Sequence, residues 1–197
     1  MTGFALLIIL LSYLIGSIPF GYLIPRVWNI DIRRHGSGNI GATNVFRTLG
    51  ALPGALVFVL DLAKGTIPVV VARQITPDPW LIVLAGAAAI IGHTFPMFLK
   101  FKGGRGAATG LGILLGIAPD IFAGALLIAL AIIAITRYVS VASIITPLLV
   151  TAAFIALNRP LPYSIVAGLV SALIIIRHIP NIKRLLSGTE PRIRIKK

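Results

Sequence analysis

Long apolar runs alternate with short polar segments along the whole chain, and this pattern predicts membrane-spanning helices. A helix needs about 20 predominantly apolar residues to cross a bilayer, within a range of roughly 17–25. The fourth of these runs, near 107–118, is short because it ends before Pro119. A helix that crosses the bilayer incompletely is tolerable where other parts of the protein bury it. The expected fold is all-α, a polytopic helical bundle forming one integral-membrane domain over residues 1–197. The runs predict spans near 3–25, 53–72, 80–99, 107–118, 120–136, 140–157 and 161–177.

Composition supports a membrane protein and narrows its chemistry. The chain is 57% hydrophobic and 12% charged, with a mean hydropathy of +1.00, whereas a soluble domain is roughly 25% charged. Its 18 basic residues outnumber five acidic ones, but most of them lie between or after apolar runs. This placement favours cytoplasmic loops and a site for anionic substrates over nucleic-acid binding. The sequence has no cysteine, which excludes disulfides and thiolate catalysis.

The basic residues also orient the predicted spans. With seven spans and the N-terminus outside, the cytoplasmic segments 26–52, 100–106, 137–139 and the tail from Arg177 hold 15 of the 18 basic residues. Merging the fourth and fifth runs would place the basic tail outside, against the positive-inside rule. The sequence therefore predicts seven transmembrane helices, with the N-terminus outside and the C-terminus cytoplasmic.

The first cytoplasmic segment concentrates glycines, hydroxyls and amides before Arg47. Successive backbone N–H groups in glycine-rich turns form anion-binding nests. If Thr43 or Asn44 caps a helix, its free N–H groups add to the site and Arg47 lies about one turn further on. The alternative is a flexible polar loop with a basic flank. Phosphate binding explains the composition better, and the candidate binding residues are Gly38, Asn39, Gly41, Ala42, Thr43 and Asn44.

In the second segment, Lys102 and Arg105 bracket Gly103 and Gly104 at the start of an apolar run. This is again a combination of cations and a backbone nest. The spacing and the ending of a Walker A loop are missing, so the sequence does not indicate an NTPase. Positive-inside anchoring alone would explain the cations but not the glycines.

The third segment carries His178 at the membrane edge, followed by Asn181. A lone histidine there is more often a packing residue than a catalyst, and Pro180 leaves a shared helical face with Asn181 unassured. Glu190 is the only glutamate, and neutralising a nearby arginine would give it a structural role.

Asp61 and Lys64 lie inside the second predicted span at i, i+3, which places them on one helix face. Charges within a membrane are costly and usually pair or serve function, so a local, structural ion pair is the preferred interpretation. The three histidines lie in separate segments with few carboxylates nearby. We therefore expect no metal site and no other cofactor.

Together the three segments resemble the bacterial acyl-phosphate:glycerol-3-phosphate acyltransferase family. The resemblance is carried by Ser37–Arg47, by Gly92–Pro96 with Phe101–Gly104, and by Arg177–His178 with Asn181–Ile182 and Arg184–Leu185. Arg105 stands where lysine is expected. It keeps the charge but replaces a point donor with a planar fork.

The resemblance implies a multi-pass enzyme of the bacterial inner membrane, with the three segments forming one site at the cytoplasmic face. Its substrates would be glycerol 3-phosphate and a fatty acyl phosphate, and its products lysophosphatidic acid and phosphate, in the first acylation of phospholipid biosynthesis. It implies catalytic roles for Ser37 and Arg47, glycerol 3-phosphate binding around Lys102, and a role in activity for His178 and Asn181. Glu190 would maintain structure. No nucleic acid and no obligate protein partner are expected besides the bilayer.

Three chemical routes and one other class of function stay open. Direct transfer, with a phosphate oxygen accepting the hydroxyl proton, is favoured because acyl phosphate is already activated. Ser37 as a covalent nucleophile and His178 as a general base are the alternatives. A transporter for a phosphorylated metabolite is a further possibility. Placement of the polar segments at one face, without an evident inverted repeat, argues against transport.

Overall fold

The computed structural model describes residues 2–193, and in this part of the chain the regular elements are ten α-helices and two short 3₁₀ turns. The 3₁₀ turns are Ile32–Arg34 and Met97–Leu99. The helices are α1 Thr2–Ser17, α2 Phe20–Arg26, α3 Ala42–Leu49, α4 Ala51–Ile75, α5 Pro79–Thr94, α6 Ala107–Ile117, α7 Pro119–Thr136, α8 Val139–Ala156, α9 Leu161–Arg177 and α10 Ile179–Leu186.

The all-helical fold is confirmed, and the chain is a multi-pass membrane protein. Five segments are long and apolar enough to cross a bilayer, and α9 with α10 forms a sixth candidate that bends by 55°. Large apolar side chains such as Leu6, Ile135 and Leu169 are exposed, which is stable where lipid covers them. The short fourth run forms α6, which has only 11 residues.

The first of two compact units, Met1–Ile117, is packed through glycines. A Cβ at Gly16 would overlap the backbone of Ala89, and one at Gly112 would overlap the backbone of Leu62. Small residues let helix backbones approach closely in membranes, where van der Waals packing drives association. Glycine therefore sets the close approach of α1 to α5 and of α4 to α6.

Helix α6 runs parallel to α4, as the hydrogen bonds between them show. Thr66 Oγ1 donates to Gly112 O at 2.9 Å. Two turns further along α4 and one turn further along α6, Arg73 donates to Gly116 O at 2.6 Å. At about 1.5 Å of rise per residue, α6 alone is shorter than the roughly 30 Å hydrocarbon core. Side chains of the longer neighbouring helix α4 donate hydrogen bonds to two backbone carbonyls in the C-terminal half of α6.

The second unit, Ala118–Lys197, contains α7 to α10. Pro119 lies in the first turn of α7, where its missing N–H costs no hydrogen bond. Asp120 in the same turn pairs with Arg159, which precedes α9. Helices α8 and α9 are joined by a hydrogen bond that Ser171 Oγ of α9 donates to Pro147 O of α8 at 2.9 Å.

Candidate active site

The first segment forms a tight loop in which two glycines adopt left-handed backbone. Gly36 has φ +57° and Gly38 has φ +71°, conformations that other residues adopt only at a cost. The Gly38 N–H donates to His35 O at 3.0 Å. The turn exposes Ser37 between the two glycines. The glycine-rich composition is thus explained by the backbone path of this turn.

The side chain of Asn44 holds this loop together. Its Oδ1 accepts from the Ser37 N–H at 2.9 Å, and its Nδ2 donates to His35 O at 3.0 Å and to Asn39 O at 2.9 Å. Asn44 is only 3% exposed. Both ends of the amide therefore serve the loop backbone, a role that the sequence analysis did not anticipate.

The prediction that Thr43 or Asn44 caps the following helix is wrong. Helix α3 begins at Ala42, its N-cap is Gly41 in extended conformation, and no side chain caps it. Both residues lie inside the first turn, because the N-cap Gly41 precedes Thr43 by two residues and Asn44 by three. Arg47 follows on α3 and is exposed, about one turn beyond the first helical residues.

An arginine cluster just before this loop was not identified in the sequence. Asp31 accepts from the Arg33 Nε at 2.9 Å and from an Arg33 terminal nitrogen at 2.7 Å, and Arg26 reaches the same carboxylate at 3.1 Å. The hydrogen bonds from Arg33 hold the pKa of Asp31 well below its ordinary value. Both guanidinium groups lie over the ring of Tyr22. These two arginines are therefore engaged in supporting the loop.

The second segment returns along the end of α5 in a strained turn. Lys100 and Phe101 both have left-handed backbone, with φ of +51° and +60°, which is unusual for residues other than glycine. The turn is held by backbone bonds from Phe101 N to Pro96 O at 3.0 Å and from Lys102 N to Leu99 O at 3.1 Å. It presents Lys102 as an exposed side chain directly after the turn.

Gly103 and Gly104 then lie against the last residues of α5. The Gly103 N–H donates to Thr94 O and the Gly104 N–H donates to His93 O, each at 3.1 Å. Arg105 follows, half-buried, ahead of α6. The predicted pair of cations around two glycines is present in this loop. The predicted anion nest is not formed by Gly103 and Gly104, because both of their N–H groups donate to carbonyls at the end of α5.

A buried ion pair lies behind this loop, and it confirms the interpretation of Asp61 and Lys64. Their charged atoms are 2.7 Å apart and both side chains are 3% exposed. The Lys64 ammonium also donates to Ile18 O at 2.8 Å, at the break between α1 and α2. His93 Nδ1 lies 3.7 Å from the Asp61 carboxylate. His93 is about 30 residues from this pair in the sequence, so its place in the cluster depends on the packing of α4 against α5.

The first and second segments are built on one apolar cluster within the first unit. Ile32 and Ile40 from the first loop pack with Val45 of α3 and Val57 of α4, and all four are buried. Leu99, from the turn before Lys102, packs against the same cluster. The structure therefore brings these two predicted segments together.

The third segment lies in the second unit, at the junction of α9 and α10. His178 is buried, and its Nδ1 lies 2.8 Å from Ile174 O. Because a carbonyl oxygen only accepts, Nδ1 carries the proton, and the lone pair of a neutral ring is on Nε2. The backbone of His178 also receives the first N–H groups of α10, from Asn181 at 2.8 Å and Ile182 at 2.9 Å.

Glu190 connects two residues of this segment. Its carboxylate accepts from Asn181 Nδ2 and from Arg184 Nε, each at 2.7 Å. Burial works against ionisation of Glu190, but hydrogen bonds from Asn181 and Arg184 and the charge of Arg184 outweigh it, so its pKa lies below the ordinary value. Asn181 Oδ1 is buried without a hydrogen-bond partner among residues 2–193. The ionised glutamate thus fixes the amide of Asn181.

Comparison with known proteins finds relatives that match nearly the whole chain. The profile of the family described as glycerol-3-phosphate acyltransferase matches residues 6–188. A glycerol-3-phosphate acyltransferase of Geobacter sulfurreducens is 44% identical over 96% of this chain and 97% of its own length. One from Aquifex aeolicus is 42% identical over 95% of this chain and 98% of its own.

Solved structures give the same result. A crystal structure of PlsY (YgiH), an integral membrane glycerol 3-phosphate acyltransferase in its glycerol 3-phosphate form, matches with a TM-score of 0.94 and 41% identity, over 96% of both chains. The lysophosphatidic acid form of PlsY matches with a TM-score of 0.91 at the same identity, over 96% of this chain and 95% of that one.

Proposed function

The chain belongs to the glycerol-3-phosphate acyltransferase family, and from this membership we propose that it acylates the 1-hydroxyl of glycerol 3-phosphate with acyl phosphate as donor. The products are lysophosphatidic acid and inorganic phosphate. The relatives' names support glycerol 3-phosphate as acceptor, and the structure of PlsY in a lysophosphatidic acid form supports the product.

The observation that carries the proposal is the shared core of the first and second segments. Leu99 and the first loop pack on one apolar cluster. The two backbone segments that carry Arg47 and Lys102 are therefore anchored to the same buried side chains. Two substrates that each carry a phosphate repel one another, and clustered cations offset this repulsion. Binding both anions beside each other converts an encounter between them into a reaction within one complex.

Each substrate finds suitable groups in the first unit. A guanidinium such as that of Arg47 binds phosphate through two parallel hydrogen bonds, and Lys102 supplies a compact charge. Next to Lys102, the side chains of Met97, Phe98 and Phe101 are exposed and apolar. This apolar surface suits a donor with a fatty acyl tail, because the tail stays in the bilayer while its phosphate meets the cations.

The reaction we propose is a direct transfer. The 1-hydroxyl oxygen of glycerol 3-phosphate attacks the acyl carbonyl carbon, a new ester C–O bond forms, and the bond from that carbon to the phosphate oxygen breaks. The hydroxyl proton passes to a phosphate oxygen, whose second pKa is about 6 in a monoester. Cations such as Arg47 and Lys102 stabilise the negative charge that develops on the carbonyl oxygen.

Two residues distinguish this route from its alternatives. Trapping of an acyl–Ser37 adduct by mass spectrometry would replace direct transfer with covalent catalysis. The lone pair on His178 Nε2 allows that ring to act as a base in its neutral form. Near-normal turnover in His178→Ala would remove this second alternative. For Asn181 we propose a role in activity that depends on its bond to Glu190.

We further propose that the chain lies in the bacterial inner membrane as seven spans in one domain, with the first and second segments at the cytoplasmic face. The positive-inside distribution supports this orientation. Helix α6 supports it as well, because it runs parallel to α4. Two parallel helices separated by α5 are expected when α4, α5 and α6 are successive spans.

The central experiment compares acyl donors. Purified protein is assayed with glycerol 3-phosphate and either palmitoyl phosphate or palmitoyl-CoA, and lysophosphatidic acid is quantified. We expect product from palmitoyl phosphate only. Product from palmitoyl-CoA alone would contradict the proposed donor. Transport of labelled glycerol 3-phosphate across liposomes without any product would contradict acyl transfer itself.

Arg47 supplies the variant arm of this experiment. We expect Arg47→Ala to lower kcat/KM by about 100-fold or more, the usual loss when one transition-state donor is removed. Its thermal midpoint should stay unchanged because the side chain is exposed. Arg34→Ala is the matched control, since Arg34 is another exposed arginine of the same segment. Equal losses in the two variants would indicate a general effect of charge.

A further inference from the structure

The ring of His93 is the reason that position 104 is a glycine. A Cβ at Gly104 would overlap the His93 imidazole, and the three heavy atoms nearest to it are all ring atoms. The backbone of Gly104 is not in the left-handed region, so the conformation itself admits alanine. The missing side chain at position 104 is therefore required by one neighbour.

The buried ion pair faces that ring from its other side. His93 Nδ1 lies 3.7 Å from the Asp61 carboxylate, which Lys64 contacts at 2.7 Å. His93 is only 4% exposed. Removing the ring leaves Asp61 paired with Lys64, so the substitution leaves no isolated charge in the membrane.

The loop that carries the cations rests on this ring. The Gly104 N–H donates to His93 O at 3.1 Å, so the backbone and the ring of one residue both meet Gly104. Lys102 precedes the glycine pair and Arg105 follows it. Any displacement of Gly104 moves both cations together.

We propose that His93 is a positioning residue whose imidazole, packed between Asp61 and Gly104, fixes the position of Gly104 and thereby sets where Lys102 and Arg105 meet the phosphate of glycerol 3-phosphate. Only the identity of this ligand rests on the proposed function. A displacement of about 1 Å in a positioning element can cost an enzyme about 100-fold, so the position of Gly104 matters for binding although His93 does not contact the reacting atoms.

A double-mutant cycle tests the proposal with the full-length protein in detergent. His93→Ala, Gly104→Ala and the double variant are compared with the wild type for their thermal midpoint, its rise on adding glycerol 3-phosphate, and steady-state kinetics. We expect Gly104→Ala to raise KM for glycerol 3-phosphate about 10-fold, equivalent to about 1.4 kcal/mol. The kcat and the KM for palmitoyl phosphate should change far less.

The double variant should be better than Gly104→Ala alone, because the alanine methyl then occupies space vacated by the ring. We expect its KM for glycerol 3-phosphate to return close to that of His93→Ala. If Gly104→Ala fails to fold, recovery of a monodisperse protein in the double variant is the equivalent result. Multiplication of the two single effects, with no recovery, would overturn the proposal.

Gly103 provides the matched control. A Cβ there would overlap His93 O and approach Pro96 and Thr94 O, none of which belongs to the ring. His93→Ala should therefore not rescue Gly103→Ala, and rescue of both glycines would also overturn the proposal. If the wild type binds glycerol 3-phosphate but does not turn over, the proposed function is wrong, and the cycle of thermal midpoints and ligand-induced shifts still decides the role of His93.

Discussion

At position 44, one amide side chain organises the loop that precedes Arg47. It accepts from the Ser37 N–H and donates to the carbonyls of His35 and Asn39. Replacing it with alanine leaves the part-buried Ser37 N–H and Asn39 carbonyl without these partners, which costs about 1–3 kcal/mol for each group. We expect Asn44→Ala to lower the thermal midpoint by about 4–10 °C and to reduce activity. Scanning fluorimetry and the acyl transfer assay measure the two effects.

Asn44→Asp separates the accepting end of this amide from the donating end. Aspartate keeps an oxygen for the Ser37 N–H, but it turns a second oxygen toward carbonyl oxygens that previously received hydrogen bonds. We therefore expect Asn44→Asp to be at least as unstable as Asn44→Ala. Wild-type stability in the aspartate variant would show that the donated bonds are unimportant.

At the scale of helices, the contact between α4 and α6 depends on glycine. A Cβ at Gly112 would overlap the backbone of Leu62, whereas a Cβ at Gly124 in α7 would meet nothing within 4 Å. Overpacking typically costs about 1–3 kcal/mol, so Gly112→Ala should lower the thermal midpoint by about 3–8 °C. Gly124→Ala is the control, and its better helix propensity should leave the midpoint equal or slightly higher. Equal shifts in both variants would contradict glycine-mediated packing.

The junction of α9 and α10 should depend on pH through Glu190. Its pKa is lower in the folded protein than in the unfolded chain, so ionised Glu190 stabilises the fold above the ordinary glutamate pKa of about 4.3. This contribution is lost as pH falls through the lower, folded-state pKa. We expect the thermal midpoints of the wild type and Glu190→Gln to differ most near neutral pH and to converge as the pH is lowered. A constant difference at every pH would contradict this account.

At the scale of the whole molecule, the proposed seven spans predict which loops a membrane-impermeant thiol reagent reaches. The chain has no cysteine, so single cysteines introduced into loops report without background. In intact cells, Asp78→Cys and Asn158→Cys should be labelled, while Arg34→Cys and Ser187→Cys should react only after permeabilisation.

The same labels test whether α6 crosses the membrane. If α6 enters and leaves on one side, every later loop changes sides, so position 158 becomes protected and position 187 becomes accessible in intact cells. That pattern would contradict seven spans. Labelling of position 34 in intact cells would instead contradict the proposed orientation of the first segment.

The hydrophobic pattern predicts most helices well because a membrane span needs little beyond a long apolar run. The predicted spans 53–72 and 120–136 lie within Ala51–Ile75 and Pro119–Thr136. The ion pair of Asp61 and Lys64 is equally local, since i, i+3 spacing brings the two side chains together on any helix. The predicted cap at Thr43 or Asn44 was wrong because the chain enters α3 through Gly41.

The sequence by itself determined the class of fold, the polar segments and the glycine-rich chemistry that indicated phosphate, because these follow from composition and short-range spacing. Only the tertiary structure decided which distant residues support those segments. His93 seats Gly104, and Leu99 joins the second segment to the core of the first. Such contacts depend on how helices pack, and helix packing depends on the shapes of surfaces that no single stretch of sequence contains.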